Sequence, residues 1–333
     1  MAGQARYDDG SALIRGNNFL IVGVSALFAS MSISTPALTA EGGSGFYLLG
    51  SRSIDAGIVP PPGKYLQFGV YGYAGNASSN IPQGGRLDVD LNGDALMGLI
   101  TSLWAFQGDT VFGGRPYIVT TLPVGWKQAT VGAQLTAPNG NILSDSKETD
   151  SFLVGDPVIG AGLGWDSGAW HSSVNVLLNL PVGDYQSKRS TNISFNRWGA
   201  DITAGLTWLG TSDWQIDSAL GITFNGNNSA TDYRTGNEMH FEGGIRKKIG
   251  AWKIGLVGYH YEQITGDRGE GAVLGPFKGR VSAIGPTASW SGIWGGRPIA
   301  IDMRWYHELS AKNRVKGDAV FLNLTVPVIF NGG

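Results

Sequence analysis

Trp198-Gly-Ala-Asp-Ile-Thr-Ala-Gly-Leu-Thr-Trp208-Leu-Gly-Thr-Ser-Asp-Trp214-Gln-Ile-Asp-Ser-Ala-Leu-Gly-Ile-Thr-Phe-Asn225 decides the fold. Before the turn the even positions, Trp198, Ala200, Ile202, Ala204, Leu206 and Trp208, are apolar, while Asp201, Thr203 and Thr207 alternate with them beside Gly199 and Gly205. After it, Trp214, Ile216, Leu220, Ile222 and Phe224 oppose Gln215, Asp217, Thr223 and Asn225. Successive strand side chains point to opposite faces, so this is a hairpin with one apolar and one polar face. A soluble sandwich also alternates in this way. An indole at each end of the apolar face favours lipid outside and water inside.

The same punctuation recurs along the chain. Trp165-Asp-Ser-Gly-Ala-Trp170 brackets another short polar turn, with looser versions at Lys248-Ile-Gly-Ala-Trp252 and Trp290-Ser-Gly-Ile-Trp294. Tryptophan at one end of successive hairpins forms a band, so Trp165, Trp170, Trp198, Trp208, Trp214, Trp252, Trp290 and Trp305 are expected at the membrane interface. From Phe152 onward short Trp-flanked turns alternate with long polar loops at 182–196, 226–238, 263–279 and 310–318. Short periplasmic turns and longer extracellular loops are the habit of outer-membrane barrels.

Composition agrees. The 333 residues include 52 glycines but only 15% charged residues, and beyond the N-terminus no apolar run is long enough for a spanning helix. Only helices and closed barrels satisfy every backbone polar group in lipid. The expected fold is therefore an all-β, transmembrane antiparallel barrel of about twelve strands over 64–330, running in the outer membrane among bilayer lipid and lipopolysaccharide. A net charge of −2 offers no basic stripe for nucleic acid. The absence of cysteine removes thiol catalysis, cysteine-ligated zinc and disulfides.

At the N-terminus Arg15 precedes the apolar run Phe19 to Met31, and small residues lead to Ala40, which reads as a secretory signal over 1–40. Residues 41–63 are then expected to be a periplasmic segment. Counting back from the last strand, Ala319 to Phe330, gives nine strands from Phe152. Tyr65 to Ala74, Leu87 to Phe106, Pro116 to Val124 and Lys127 to Ala137 precede them, yet an even count with a periplasmic N-terminus needs three. Leu96 to Val124 is therefore expected to contain one broken or overlong strand, or an excursion outside the barrel.

Several constellations invite chemistry. Asp88-Val-Asp90-Leu-Asn92-Gly93-Asp94 copies the opening of a calcium loop, but Leu99 stands where the bidentate Glu belongs, and the acids alternate with Leu87, Val89 and Leu91 as on a strand facing the lumen. The histidines, His171, His240, His260 and His307, lack metal-ligand spacing, and His171 beside Ser172 and Ser173 shows no orienting carboxylate. Gly160-Ala-Gly162-Leu-Gly164 precedes no helix, so it reads as small residues in a curved strand, not a dinucleotide loop. No cofactor, metal or catalytic residue is expected. The inward charges Asp156, Asp201, Asp217, Glu242, Arg246, Asp302, Arg304 and Glu308 would either pair across strands or form a selective eyelet. Aromatic surfaces at Tyr185, Tyr233, Tyr259, Tyr261 and Tyr306 would join them, with loops around Asp184, Asp232 and Asp267 folding in at the mouth.

Asn179-Leu-Pro-Val-Gly-Asp184-Tyr185, Phe195-Asn196-Arg-Trp198 and the run Phe224-Asn225-Gly-Asn-Asn228-Ser-Ala-Thr231-Asp232-Tyr233-Arg-Thr-Gly236-Asn-Glu238-Met-His240 resemble the central motifs of the outer-membrane family named for a putative meta-pathway of phenol degradation. Tyr259-His-Tyr261-Glu-Gln263, Gly275-Pro-Phe277-Lys-Gly279-Arg280 and Arg304-Trp-Tyr306-His-Glu308 continue the resemblance, which covers about Phe46 to Phe330. It implies a monomeric channel for passive entry of small organic, often hydrophobic or aromatic, solutes. Leu322 to Phe330 give the stripe expected to engage the barrel-assembly machinery, although Asn331-Gly-Gly follows the terminal aromatic. A plugged structural or adhesive barrel and a lipid-modifying enzyme are the alternatives.

Overall fold

The computed structural model describes residues 45–82, 86–108, 110–136, 142–272 and 275–328, so the expected signal segment and the residues after 328 lie outside the described residues. Thirteen strand segments occur in order: β1 (Gly63–Pro82), β2 (Arg86–Ala105), β3 (Arg115–Thr136), β4 (Ile142–Val154), β5 (Val158–Ser167), β6 (Trp170–Asn179), β7 (Gly199–Leu209), β8 (Trp214–Asn225), β9 (Glu238–Ile249), β10 (Trp252–Gln263), β11 (Arg280–Trp294), β12 (Arg297–Lys312) and β13 (Lys316–Val328). Neighbours pair antiparallel, and β1 closes the ring on β13 from Lys64↔Val328 to Asn76↔Lys316. The lower part of β3, Arg115 to Thr121, pairs with β5, and the upper part, Val124 to Thr136, with β4. β4 and β5 are thus one descending strand interrupted at Gly155-Asp-Pro157, and the wall is a closed barrel of twelve strands.

This count matches the expectation, and the overlong strand expected in that region is β3. Pro116 to Val124 and Lys127 to Ala137 are not two strands; β3 runs unbroken from Arg115 to Thr136. Gly125 reads as a gap in the apolar alternation, yet a Cβ there would lie 2.3 Å from the Leu96 carbonyl oxygen, so glycine keeps the ladder close instead of ending it. The true break is at Pro157, which cannot donate to a ladder.

Outward positions are apolar and open to lipid: Phe68, Leu96, Ile100, Leu220, Leu256 and Met303 are between 46% and 54% exposed. Burial of the alternate positions, among them Asp201, Thr207, Glu242 and Arg246 at 0%, places them in the lumen. Indoles gather where the alternation ends. Trp170 and Trp208 lie side by side with ring centroids 6.2 Å apart, Trp252 faces Trp290 in register, and Lys247 covers Trp214. Trp165 donates to the Phe112 carbonyl on the same rim, while Trp198 stands at the opposite end and Trp305 donates to Asp318. Trp104, 41% exposed, also faces outward and was not anticipated.

β1, β2 and β3 have 20, 20 and 22 residues, twice the roughly 9–11 that a spanning strand needs, so their distal halves and β4 project beyond the lipid on the loop side. Asp90 and Asp94 lie there on the face of Leu96 and Ile100, with Leu91 turned in. The expectation that these acids face the lumen was one position out of register.

Candidate functional site

The lumen holds the protein's own chain. Residues 45–62, expected in the periplasm, descend inside the barrel from the level of Glu238 to the rim where β1 begins. The Gly50 and Arg52 N–H groups donate to the two carboxylate oxygens of Glu242 at 2.8 and 2.7 Å. Arg304 returns two bonds, to the carbonyls of Gly50 and Ser51 at 2.8 and 2.9 Å, and the Tyr306 hydroxyl donates to Gly50 while also meeting Ser53. Lower down, Asp55 accepts from Arg246 at 2.7 Å and from Gln215 at 2.8 Å. Gly57 N–H donates to Thr207, and Arg52 reaches Ser173 and Ala56. Arg115 holds the Val59 and Pro60 carbonyls at the bottom.

The wall is shaped to receive this segment. An added Cβ at Gly199 would meet the Phe46 ring, at Gly205 the Ala56 carbonyl, at Gly244 the Ser53 carbonyl and at Gly164 the Val59 side chain, all within 2.7 Å. Gly162 likewise makes room for the Tyr117 ring. These inward glycines therefore provide clearance, a reason different from the strand curvature expected for Gly160 to Gly164. Tyr47 stacks on His240 at 3.6 Å, and Leu48, Leu49 and Ile54 pack on a patch that includes Tyr259, Tyr306 and Phe321.

Most expected eyelet charges are engaged in this packing or in local networks. Asp217 accepts from Thr207, Gln215 and Arg246; Asp201 accepts from Thr203, Thr223 and His240. Asp302 pairs with Arg304 at 3.0 Å, and Glu308 accepts from Tyr73, Tyr259 and the Gly317 N–H. Tyr261 donates to Glu238. Asp156 lines no opening: at the strand break it accepts from Asn179, the Gly183 N–H, Ser194 and the Phe195 N–H, and so clamps the 180–196 loop.

The loop residues interlock at the mouth. Tyr233 donates to Asp267 at 2.6 Å, and Asp267 also takes the Gly236 N–H and Gln263. Asn228 donates to Tyr185, and Asp184 pairs with Arg189 at 3.5 Å. Asp232 is exposed and accepts from Glu270 N–H and Asn227, and the first of these holds its carboxyl below the usual aspartate range.

What sequence reasoning missed is the segment itself. Glu242 has no basic partner on a facing strand position, and such a buried carboxylate demands donors from somewhere. That shortage, with Arg52 and Asp55 upstream of β1, was the available signal.

Histidine geometry bears on the enzyme alternative. His171 lies 2.6 Å from Asp166, so the orienting carboxylate thought absent is present at the periplasmic rim. On the outer face, His260 Nδ1 is 2.8 Å from Ser282 Oγ and its Nε2 is 3.9 Å from Glu262. Among the described residues no group of acids and histidines could hold a metal ion.

A closed barrel with a lipid-facing exterior and an occupied lumen defines an outer-membrane protein of channel architecture. The family described as a putative MetA-pathway of phenol degradation matches residues 74–324, and the chain belongs to it. No curated relative matches. Among solved structures it is similar to the COG4313 outer membrane channel from Pseudomonas putida F1, at 15% identity and TM-score 0.60 over 81% of this chain and 97% of that one, which establishes the shared fold. It is more distantly similar to the CymD monoaromatic hydrocarbon channel, at 8% identity and TM-score 0.43 over 89% of this chain and 98% of that one.

Proposed function

We propose that the protein is a passive outer-membrane channel for small organic solutes, normally occluded by residues 45–62. The observation that carries this reading is that the lumen is occupied, though not filled, by a segment which belongs to no strand and is held by side-chain grips such as Glu242 and Arg304. A wall built from continuous ladders can stay closed while such a segment moves, because none of the ladder bonds involve it. Flow then follows the concentration gradient, with no catalytic residue required. Family membership links it to aromatic-compound degradation, and the similarity to a channel named for monoaromatic hydrocarbons agrees with that direction. Glu242, Arg246 and Arg304 position the segment, a role distinct from an open eyelet.

Single-channel current from the purified full chain in planar bilayers, with liposome uptake of small aromatics, tests the reading. Discrete openings or solute-selective uptake support it. Persistent silence of a folded, heat-modifiable protein, even after the segment's grips are removed, would make it a plugged structural barrel.

A second reading rests on Ser282, His260 and Glu262, which together offer a hydroxyl, a base and a carboxylate on the outward face. Esterase turnover on phospholipid that is lost in Ser282→Ala would establish it; equal turnover in both proteins would remove it.

A further inference from the structure

The segment covers one wall of the lumen only at its ends, where Leu48, Leu49 and Ile54 pack near Phe321 and Val59 packs on Tyr117, and the stretch between has its own chemistry. Over the middle of four adjacent strands the inward positions carry no charge: Tyr117, Val119, Thr121 and Pro123 on β3, between inward Arg115 and Lys127, Ala95 to Leu103 on β2, Tyr65 to Tyr73 on β1, and Ala319 to Thr325 on β13. Register sorts them into rows. Thr121, Thr101, Gln67 and Thr325 are successive cross-strand partners, joined by a Thr101–Thr121 contact of 2.9 Å and a Gln67 to Thr325 bond of 3.1 Å. The row below is Val119, Leu103, Tyr65 and Pro327, and the row above is Pro123, Leu99, Gly69 and Asn323, whose amide donates to Asp302.

An uncharged hydrogen-bonding belt thus runs between two rows whose polar members, Tyr65 and Asn323, are engaged by the Pro61 carbonyl and by Asp302. A cavity of about 200 Å³ opens against this belt, bounded by Pro60 of the occluding segment and by Tyr65, Gln67, Thr101, Leu103 and Thr325. An apolar cavity of about 150 Å³ accommodates benzene, so the space suits one ring-sized molecule. Hydroxyls and an amide give such a guest one place to donate or accept, while a carboxylate would lose its water and find the neighbouring Arg115 already engaged by the Val59 and Pro60 carbonyls and by Asp166.

We propose that this chamber is a solute-binding station for neutral, ring-sized molecules bearing one hydroxyl or amide, and that it discriminates against their carboxylate counterparts. The proposal deepens the channel reading and rests on it. The belt orients the polar group, the rows of Leu103 and Leu99 cover the ring, and Pro60 forms the removable side of the chamber.

The absence of cysteine permits a direct test. Thr101→Cys in the full-length protein is treated with a neutral benzyl thiosulfonate and with a sulfonate-bearing reagent of similar size, with Ser173→Cys, beneath the segment, as the covered control. The neutral reagent is expected to react at Thr101→Cys about tenfold faster than the anionic one. Phenol should protect the thiol where benzoate does not. Gln67→Leu should weaken protection by phenol about three- to tenfold and leave protection by toluene unchanged. Equal rates for both reagents, or no protection by phenol, would overturn the proposal even if the protein conducts. Thr325→Cys, in the same row, replaces Thr101→Cys if that variant fails to fold. A silent bilayer with protection intact would instead sink the channel reading and leave a binding barrel.

Discussion

The two halves of the lumen wall are built to opposite rules. From β6 to β9 and on β12, inward positions carry Asp201, Asp217, Glu242, Arg246, Arg304 and Glu308, all buried, and several reach the occluding segment directly. From β1 to β3 and on β13, the middle of the wall is hydroxyl, amide, aromatic and aliphatic, and the segment is held there only toward the rim, by Tyr65 at the Pro61 carbonyl and by Arg115 at the Val59 and Pro60 carbonyls. The contrast teaches that an inward charge in a barrel is not by itself a filter. Here the charged wall is a receptor for the protein's own chain, and the neutral wall is what remains for a guest.

The sharpest way to break that contrast is to disarm the charged wall. Glu242→Ala strands two buried N–H donors, each worth about 1–3 kcal/mol. It should convert brief or rare openings into long-lived ones, read as open probability in planar bilayers. Unchanged openings would mean that Glu242 does not hold the segment.

A smaller effect is expected at the mouth. Asp267→Ala removes the acceptor shared by Tyr233, Gly236 and Gln263, at a cost of about 2–3 kcal/mol to local loop order. Protease cleavage between 226 and 279 should accelerate while open probability stays near that of the native protein. If conductance changes instead, the mouth and not the segment sets the flow.

Asp55→Asn should matter less, about 1 kcal/mol or below, because the Asp55 side chain is 43% exposed and Arg246 keeps Asp217 as a partner. Its effect on open probability should shrink at high salt. A loss as large as that of Glu242→Ala would show Asp55 to be the principal anchor.

The smallest effect belongs to Asp232. Its carboxyl titrates below the ordinary value of about 3.9, so the stability it lends is present above that value and is lost as pH falls through its lowered folded value. Exchange of the Glu270 amide should accelerate only in that acidic window and lose its pH step in Asp232→Asn; a step near neutral pH would contradict the assignment.

Much of this was legible in sequence because barrel strands obey a period of two. Trp198 to Trp208 states which face meets lipid, and the inward charges named from that parity are buried, apart from half-buried Asp302. Parity gives no help where chain leaves the wall. Residues 45–62 have no alternation, since they lie in no ladder, and their place is set by partners scattered over β3, β6 to β9 and β12. Asp156 was misread for the opposite reason: its parity is inward, but the break at Pro157 turns it toward a loop.

The course of the segment also gives it a handle. Its lower end passes without interruption into Gly63, the first residue of a strand locked on both sides, at the rim facing the periplasm. The obstruction is therefore fastened at the periplasmic rim, by the chain that leads into β1.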